Sequence, residues 1–117
     1  VVTIYGIKNC DTMKKARTWL EANGIAYRFH DYKAEGIERA HLEAWADASG
    51  WETILNRAGT TFRKLDEAER ADLDRDKAIR LMLAQPSLIK RPVLETEAGV
   101  AAVGFKPETY TGLFSAR

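Results

Sequence analysis

An α/β fold of order β-α-β, helices, β-β-α with a mixed central sheet is predicted by three features. A β-branched and aromatic run, Val1-Val2-Thr3-Ile4-Tyr5, passes through Gly6 into a stretch whose apolar positions, Met13, Ala16 and Leu20, share one helix face. Asn23-Gly24 then stops the helix, and Ile25-Ala26-Tyr27-Arg28-Phe29 alternates as a strand. A strand, a helix and a second strand this close together form a βαβ unit with parallel strands. Near the other end, Val93-Leu94 and Val100 to Val103 flank a turn at Glu95 to Gly99, which reads as a hairpin.

Each element follows from local chemistry. Val1 to Tyr5 is the first strand, and Asp11 to about Asn23 the first helix, with Asp11 and Thr12 suited to accept first-turn N–H bonds. From Asp31 to Gln85 the pattern turns helical. Ile37, Leu42, Trp45 and Ala46 have helical spacing up to Gly50, and Trp51 to Leu55 reads as a short helix. Arg57 to Thr61 is a loop, Thr61 to Leu65 a turn, and Asp66 to Ala71 helix-prone. Asp74 or Asp76 starts a further helix to Ala84, with Ala78, Leu81 and Met82 on one side. Trp45 and Trp51 belong to packing. With no internal repeat, this segment is an insertion at about 34–85 within one domain spanning 1–117. Pro86 to Leu94 reads as extended chain. Pro92 lacks the N–H of a central strand, which places it at a strand start or edge. Gly104-Phe105-Lys106 is a loop, and Pro107 suits the first turn of a last helix ending near Phe114.

Composition sets the functional bounds. The 117 residues, 45% of them hydrophobic, suffice for one globular domain with a real core. A net charge of +1, with acids and bases interspersed, leaves no basic field for nucleic acid. No apolar run approaches the ~20 residues that span a bilayer, and no signal-peptide pattern is present. A single cysteine excludes an intramolecular disulfide and a multi-cysteine zinc site. His30 and His41 lack ligand spacing, so no metal is expected. There is no phosphate-binding glycine loop either. The expectation is a soluble, cytoplasmic monomer without membrane or nucleic-acid partners.

Cys10 carries the chemistry. It stands where the turn becomes the first helix, between the polar residues Asn9 and Asp11. A sulfur there meets unsatisfied N–H groups and the positive end of the helix dipole, and both stabilise a thiolate. Lys8 and Lys14 add positive charge, and Asp11 opposes them. Buried cysteines are usually inert fillers, but those sit inside apolar runs. The position therefore predicts a low-pKa, nucleophilic thiol.

A reactive cysteine at the first strand-to-helix junction, with X-Pro just before the third strand, resembles the thioredoxin fold. More closely, the chain resembles the arsenate reductase/Spx (ArsC-like) family, in which a helical segment follows the second strand. The matching stretches are Tyr5-Gly6-Ile7-Lys8-Asn9-Cys10-Asp11-Thr12, Leu55-Asn56-Arg57 with Gly59-Thr60-Thr61-Phe62-Arg63-Lys64-Leu65, Ile89-Lys90-Arg91-Pro92-Val93, and Gly104-Phe105-Lys106-Pro107. The first and third are similar to the YffB-like branch, described as glutathione-dependent thiol reductases.

The resemblance implies Cys10 as nucleophile, Pro92 as a cis-proline, and Arg91 beside it shaping a groove at the sulfur. It implies Thr12, Arg57, Arg91, Pro92 and Lys106 as residues that position glutathione, the co-substrate. The other partner is an unknown disulfide or oxidised substrate. Arsenate reductases carry arginine where Lys106 and Asn56 stand, and one class has histidine and serine at Gly6 and Met13. Lysine replaces the bidentate guanidinium poorly in oxyanion chemistry, so arsenate reduction is the weaker alternative. A Spx-like regulator that binds RNA polymerase is another. Its redox switch uses a second cysteine three residues on, where this chain has Met13. Without that resolving thiol, a mixed disulfide at Cys10 must be released by an external thiol.

Overall fold

A computed structural model describes residues 2–115, so Val1, the first residue of the expected strand, lies outside the described residues. In chain order the elements are β1 (Val2–Gly6), α1 (Asp11–Ala22), β2 (Tyr27–Asp31), α2 (Tyr32–Glu35), α3 (Arg39–Ser49), α4 (Trp51–Ile54), α5 (Thr60–Arg63), α6 (Glu67–Arg70), α7 (Arg75–Ala84), β3 (Val93–Thr96), β4 (Gly99–Val103) and α8 (Pro107–Phe114). They form two compact units. One holds the chain through Glu35 and again from Arg91 onward; the other is Gly36–Lys90.

The first unit contains a four-stranded sheet in the order β2-β1-β3-β4. β1 is parallel to β2 and antiparallel to β3, and β3 is antiparallel to β4. The mixed sheet and the βαβ start match the sequence-based expectation. Side chains alternate across β1. Val2 and Ile4 join Leu94 of β3, Met13, Ala16 and Leu20 of α1, and Tyr110 of α8 in one buried cluster. On the opposite face the Tyr5 hydroxyl donates to Glu95 Oε1 at 3.0 Å, a diagonal link between β1 and β3.

Tyr110 is fully buried. Its ring meets Phe105 edge-on at 4.7 Å and Trp19 at 5.5 Å. Among the described residues its hydroxyl oxygen has no hydrogen-bond partner. Burial accordingly pushes this phenol well above its ordinary pKa. A buried polar atom that makes no bond costs ~1–3 kcal/mol, so Tyr110→Phe should leave the protein equally stable or more so, by up to ~1 kcal/mol in urea unfolding. A loss of stability would show that the oxygen is satisfied.

The second strand starts later than the alternation of Ile25 to Phe29 suggests. Gly24, at φ +68°, reverses the chain, and the Ile25 N–H is spent on Leu20 O at 2.9 Å. That closure of the helix end leaves Tyr27 as the first residue able to pair with β1.

The Gly36–Lys90 unit has its own core of Leu42, Trp45, Ile54, Ala78, Ile79, Met82, Leu88 and Ile89, all fully buried. Asp66 and Asp74 cap α6 and α7 by accepting from the Glu69 and Lys77 N–H groups, each at 2.8 Å. Arg39 pairs with Asp76 at 2.7 Å and Arg75 with Asp47 at 2.5 Å, tying the outer faces of α3 and α7. Pro86 to Leu88 form a 3-10 turn rather than extended chain, closed by Leu88 N–H on Gln85 O at 2.9 Å. The following residues bridge to α4: Lys90 N–H donates to Ile54 O, and Asn56 N–H to Leu88 O, both at 2.8 Å. No helix among the described residues is long and apolar enough to cross a membrane.

Candidate active site

The turn after β1 ends at Cys10, which is half-buried and extended at φ −122° and ψ 128°. It is the N-cap of α1. From that position its sulfur faces the N–H groups of Met13 and Thr12, the third and second residues of the helix, and both favour the thiolate. The positive charge of the Arg91 guanidinium favours the thiolate as well. Partial burial alone pushes the thiol up. The N–H groups of Met13 and Thr12 and the Arg91 guanidinium together outweigh it, and the Cys10 pKa is lowered. The lowering runs in the direction that the helix-start position predicts. The cation acting on it is Arg91, while Lys8 and Lys14 are exposed.

Sheet register explains how distant residues meet here. Gly6, the last residue of β1, pairs with Asp31, and Tyr5 pairs with Val93. The end of β1, the end of β2 and the start of β3 therefore share one edge of the sheet. The turn to Cys10, the first residue of α2 and the Arg91-Pro92 segment all leave from that edge. The Arg91–Pro92 bond is cis, as the resemblance implies. The Gly104 N–H donates to Pro92 O at 2.8 Å, which ties the loop before α8 to the proline. Lys106, at the N-cap of α8, is exposed on that loop.

Beneath the cysteine, Met13 is 1% exposed and packs against Gly6. A Cβ at Gly6 would stand 2.2 Å from Met13 Sδ and 2.7 Å from its Cε. The two positions are complementary: the thioether occupies the space that a side chain on β1 would need.

Of the expected site residues, Cys10, Thr12, Arg91 and Pro92 meet at the sulfur's end of the sheet. Thr12 contributes through its backbone N–H. Arg57 is exposed on the loop between α4 and α5 in the Gly36–Lys90 unit. One residue escaped the sequence reading. Tyr32, 1% exposed, lies close enough to Arg91, Cys10 and Asp31 for their charges to act on it. Its only sequence signal is a position directly after β2, and strand pairing is what brings it to the cysteine.

Residues 5–113 match the model of the ArsC family. This chain belongs to the ArsC family. Its fold is the thioredoxin-like fold of that family. Among solved structures, the YffB protein is 65% identical with a TM-score of 0.92, covering 96% of this chain and 97% of that one. An arsenate reductase (ArsC) related protein from Brucella melitensis is 59% identical with a TM-score of 0.78, covering 97% and 93%. An uncharacterized protein of Haemophilus influenzae is 38% identical across 98% of this chain and all of its own length. The described site thus belongs to an ArsC-family chain whose positions 6 and 13 hold glycine and methionine.

Proposed function

We propose that the protein is a glutathione-dependent thiol-disulfide reductase with Cys10 as its one nucleophile. The observation that carries this reading is a sulfur at a helix start with no second thiol: Cys10 is the N-cap of α1, its pKa is lowered, and the position three residues on is a buried methionine. In the first step the Cys10 thiolate attacks one sulfur of a substrate disulfide. A Cys10–S–S–R bond forms, the substrate S–S bond breaks, and the other half leaves as a thiolate that takes a proton from water. In the second, a glutathione thiolate attacks that mixed disulfide, giving R–S–S–glutathione and regenerating the Cys10 thiolate. A second glutathione releases R–SH from it in solution, so two glutathiones are oxidised for each disulfide reduced.

Exposed Lys106, on the loop tied to Pro92, supplies a charge for a glutathione carboxylate. Arsenate reduction has less support. Lys106 lacks the bidentate fork that oxyanion binding favours, and the tight Gly6–Met13 contact leaves no room for an assisting side chain at position 6.

Oxidised glutathione should add a single glutathione to Cys10, seen by intact mass, and excess thiol should remove it. Reduction of a small disulfide, coupled to glutathione reductase and NADPH, should proceed with the parent and vanish in Cys10→Ser. A covalent homodimer as the main product, or no turnover by the parent, would overturn the reading.

A further inference from the structure

We propose that a rim of exposed lysines, Lys8, Lys14 and Lys106, selects the disulfide substrate, and that this substrate is an acidic peptide disulfide with carboxylates beside the reacting sulfur. Lys8 stands in the exposed turn two residues before Cys10. Lys14 is four residues after Cys10, and its N–H donates to Cys10 O at 3.0 Å. Residues four apart share a helix face, and the Cα–Cβ bonds of a helix tilt toward its N-terminus. The Lys14 side chain therefore leaves the helix in the direction of Cys10. Lys106 comes from far along the chain. The Gly104 N–H donates to Pro92 O at 2.8 Å, and Pro92 directly precedes Val93, the partner of Tyr5. Phe105 and Cys10 pack against the same buried cluster, which includes Met13, Leu94 and Tyr110. Lys106 thus follows Phe105 onto the sulfur's end of the sheet.

The fold makes no use of these charges. All three lysines are exposed, and among the described residues none of their side chains has an ion pair or a hydrogen bond. Arg28, Arg39, Arg75 and Arg80, by contrast, are each paired with a carboxylate. Nor does α1 gain from Lys14. Lys14, Lys15 and Arg17 crowd its first half and its last turn holds no base, the reverse of what the helix dipole favours. The acids at this edge are Asp11 beside Cys10, Glu108 in the first turn of α8, and Asp31. Asp31 Oδ1 is engaged by the Lys33 and Ala34 N–H groups at 3.0 and 3.4 Å. Lys8, Lys14 and Lys106, with Arg91, outweigh them. Clustered charges of one sign concentrate a partner of the other sign and speed its arrival, and salt weakens the effect. A disulfide flanked by carboxylates is drawn to Cys10, and a basic one is repelled.

The inference rests on the reading of Cys10 as the reacting thiol, and the test separates the two. Three peptides each carry one cysteine as its mixed disulfide with 2-thiopyridine, flanked by glutamates, glutamines or lysines. The Cys10 thiolate attacks the peptide sulfur. A Cys10–S–S–peptide bond forms, the S–S bond to the pyridine breaks, and the pyridine-2-thiolate leaves, taking a proton from water to become the thione whose absorbance is followed. Each rate is divided by that of 2-mercaptoethanol with the same peptide, which removes the disulfide's own reactivity. At low salt the protein should react at least about fivefold faster with the glutamate peptide than with the lysine peptide, and high salt should bring the ratio toward one. Lys8→Gln combined with Lys14→Gln should remove most of the low-salt ratio; Lys106 is kept because it serves glutathione in the later step. Arg75→Gln combined with Arg80→Gln removes the same net charge from bases already paired with Asp47 and Asp76, and should keep the parent ratio. Equal rates with the glutamate and lysine peptides, or a ratio that salt leaves unchanged, would overturn the proposal. So would a ratio that survives loss of both lysines, or one that falls as far in the arginine control. In each of those cases thione release from the glutamine peptide leaves Cys10 standing as the nucleophile. No release from any peptide would remove the nucleophile itself, and the inference with it.

Discussion

Arg91→Ala should raise the Cys10 pKa by roughly one unit, since a charge-assisted hydrogen bond and a neighbouring cation both leave the thiolate. The sign follows from the acid: removing a group that favours the charged form makes the proton harder to lose. Below both pKa values, ~10-fold fewer molecules then carry a thiolate. The more basic sulfur is intrinsically the better nucleophile, with a Brønsted slope of ~0.4–0.5, so alkylation at fixed pH should slow by only about three- to fourfold. Glutathionylation should fall further if the guanidinium also attracts a carboxylate, and salt should shrink that extra part. Arg91→Lys keeps the charge and loses the fork, so it should fall between. Arg75→Ala is the control, because Arg75 is engaged with Asp47 in the Gly36–Lys90 unit. Equal effects at positions 91 and 75 would reduce Arg91 to general charge.

The second large effect concerns packing. Met13→Ala deletes a fully buried side chain and should cost ~2–5 kcal/mol. Gly6→Ala drives a methyl group into the thioether and should cost ~1–3 kcal/mol, because a buried methionine has little room to retreat. Combined, the new methyl enters part of the space that Met13 vacated. The double variant should then be less destabilised than the sum of the singles, by ~0.5–3 kcal/mol in urea unfolding. Simple additivity would mean that the two positions do not share that volume.

What could be read from the sequence was what local chemistry decides. The strand, turn and helix around Cys10, the stop at Gly24, the hairpin from Val93 to Val103 and the start of α8 at Pro107 each have a nearby cause. Boundaries failed where a backbone group chose an unexpected partner. Ile25 N–H closed the end of α1, delaying β2 to Tyr27, and Pro86 to Leu88 wound into a turn because Leu88 reached Gln85 O. At the site, the helix-start thiol was legible because its N–H donors lie within three residues. Its cation was legible only through the resemblance, which puts Arg91 beside the sulfur: Lys8 and Lys14 are nearer in sequence yet exposed, whereas Arg91 favours the thiolate. Tyr32 was invisible, since sheet register rather than spacing brings it there.

The sheet also sets an order of assembly. β1 and β2 are joined by a single helix, so their pairing closes a short loop. β3 reaches β1 only by closing a far longer one, as Tyr5 and Glu95, 90 positions apart, attest. Contacts of such separation are intrinsically slow to form. Until β3 docks, the thiol has its helix start but not Arg91, and its reactivity is close to that of any cysteine on a helix. A nascent or truncated chain lacking β3 would keep the helix-start N–H groups and react more slowly, by the few-fold that loss of Arg91 costs. The sharpened sulfur is therefore a marker of the finished sheet, and its titration doubles as a gauge of how much of the protein in a sample has completed folding.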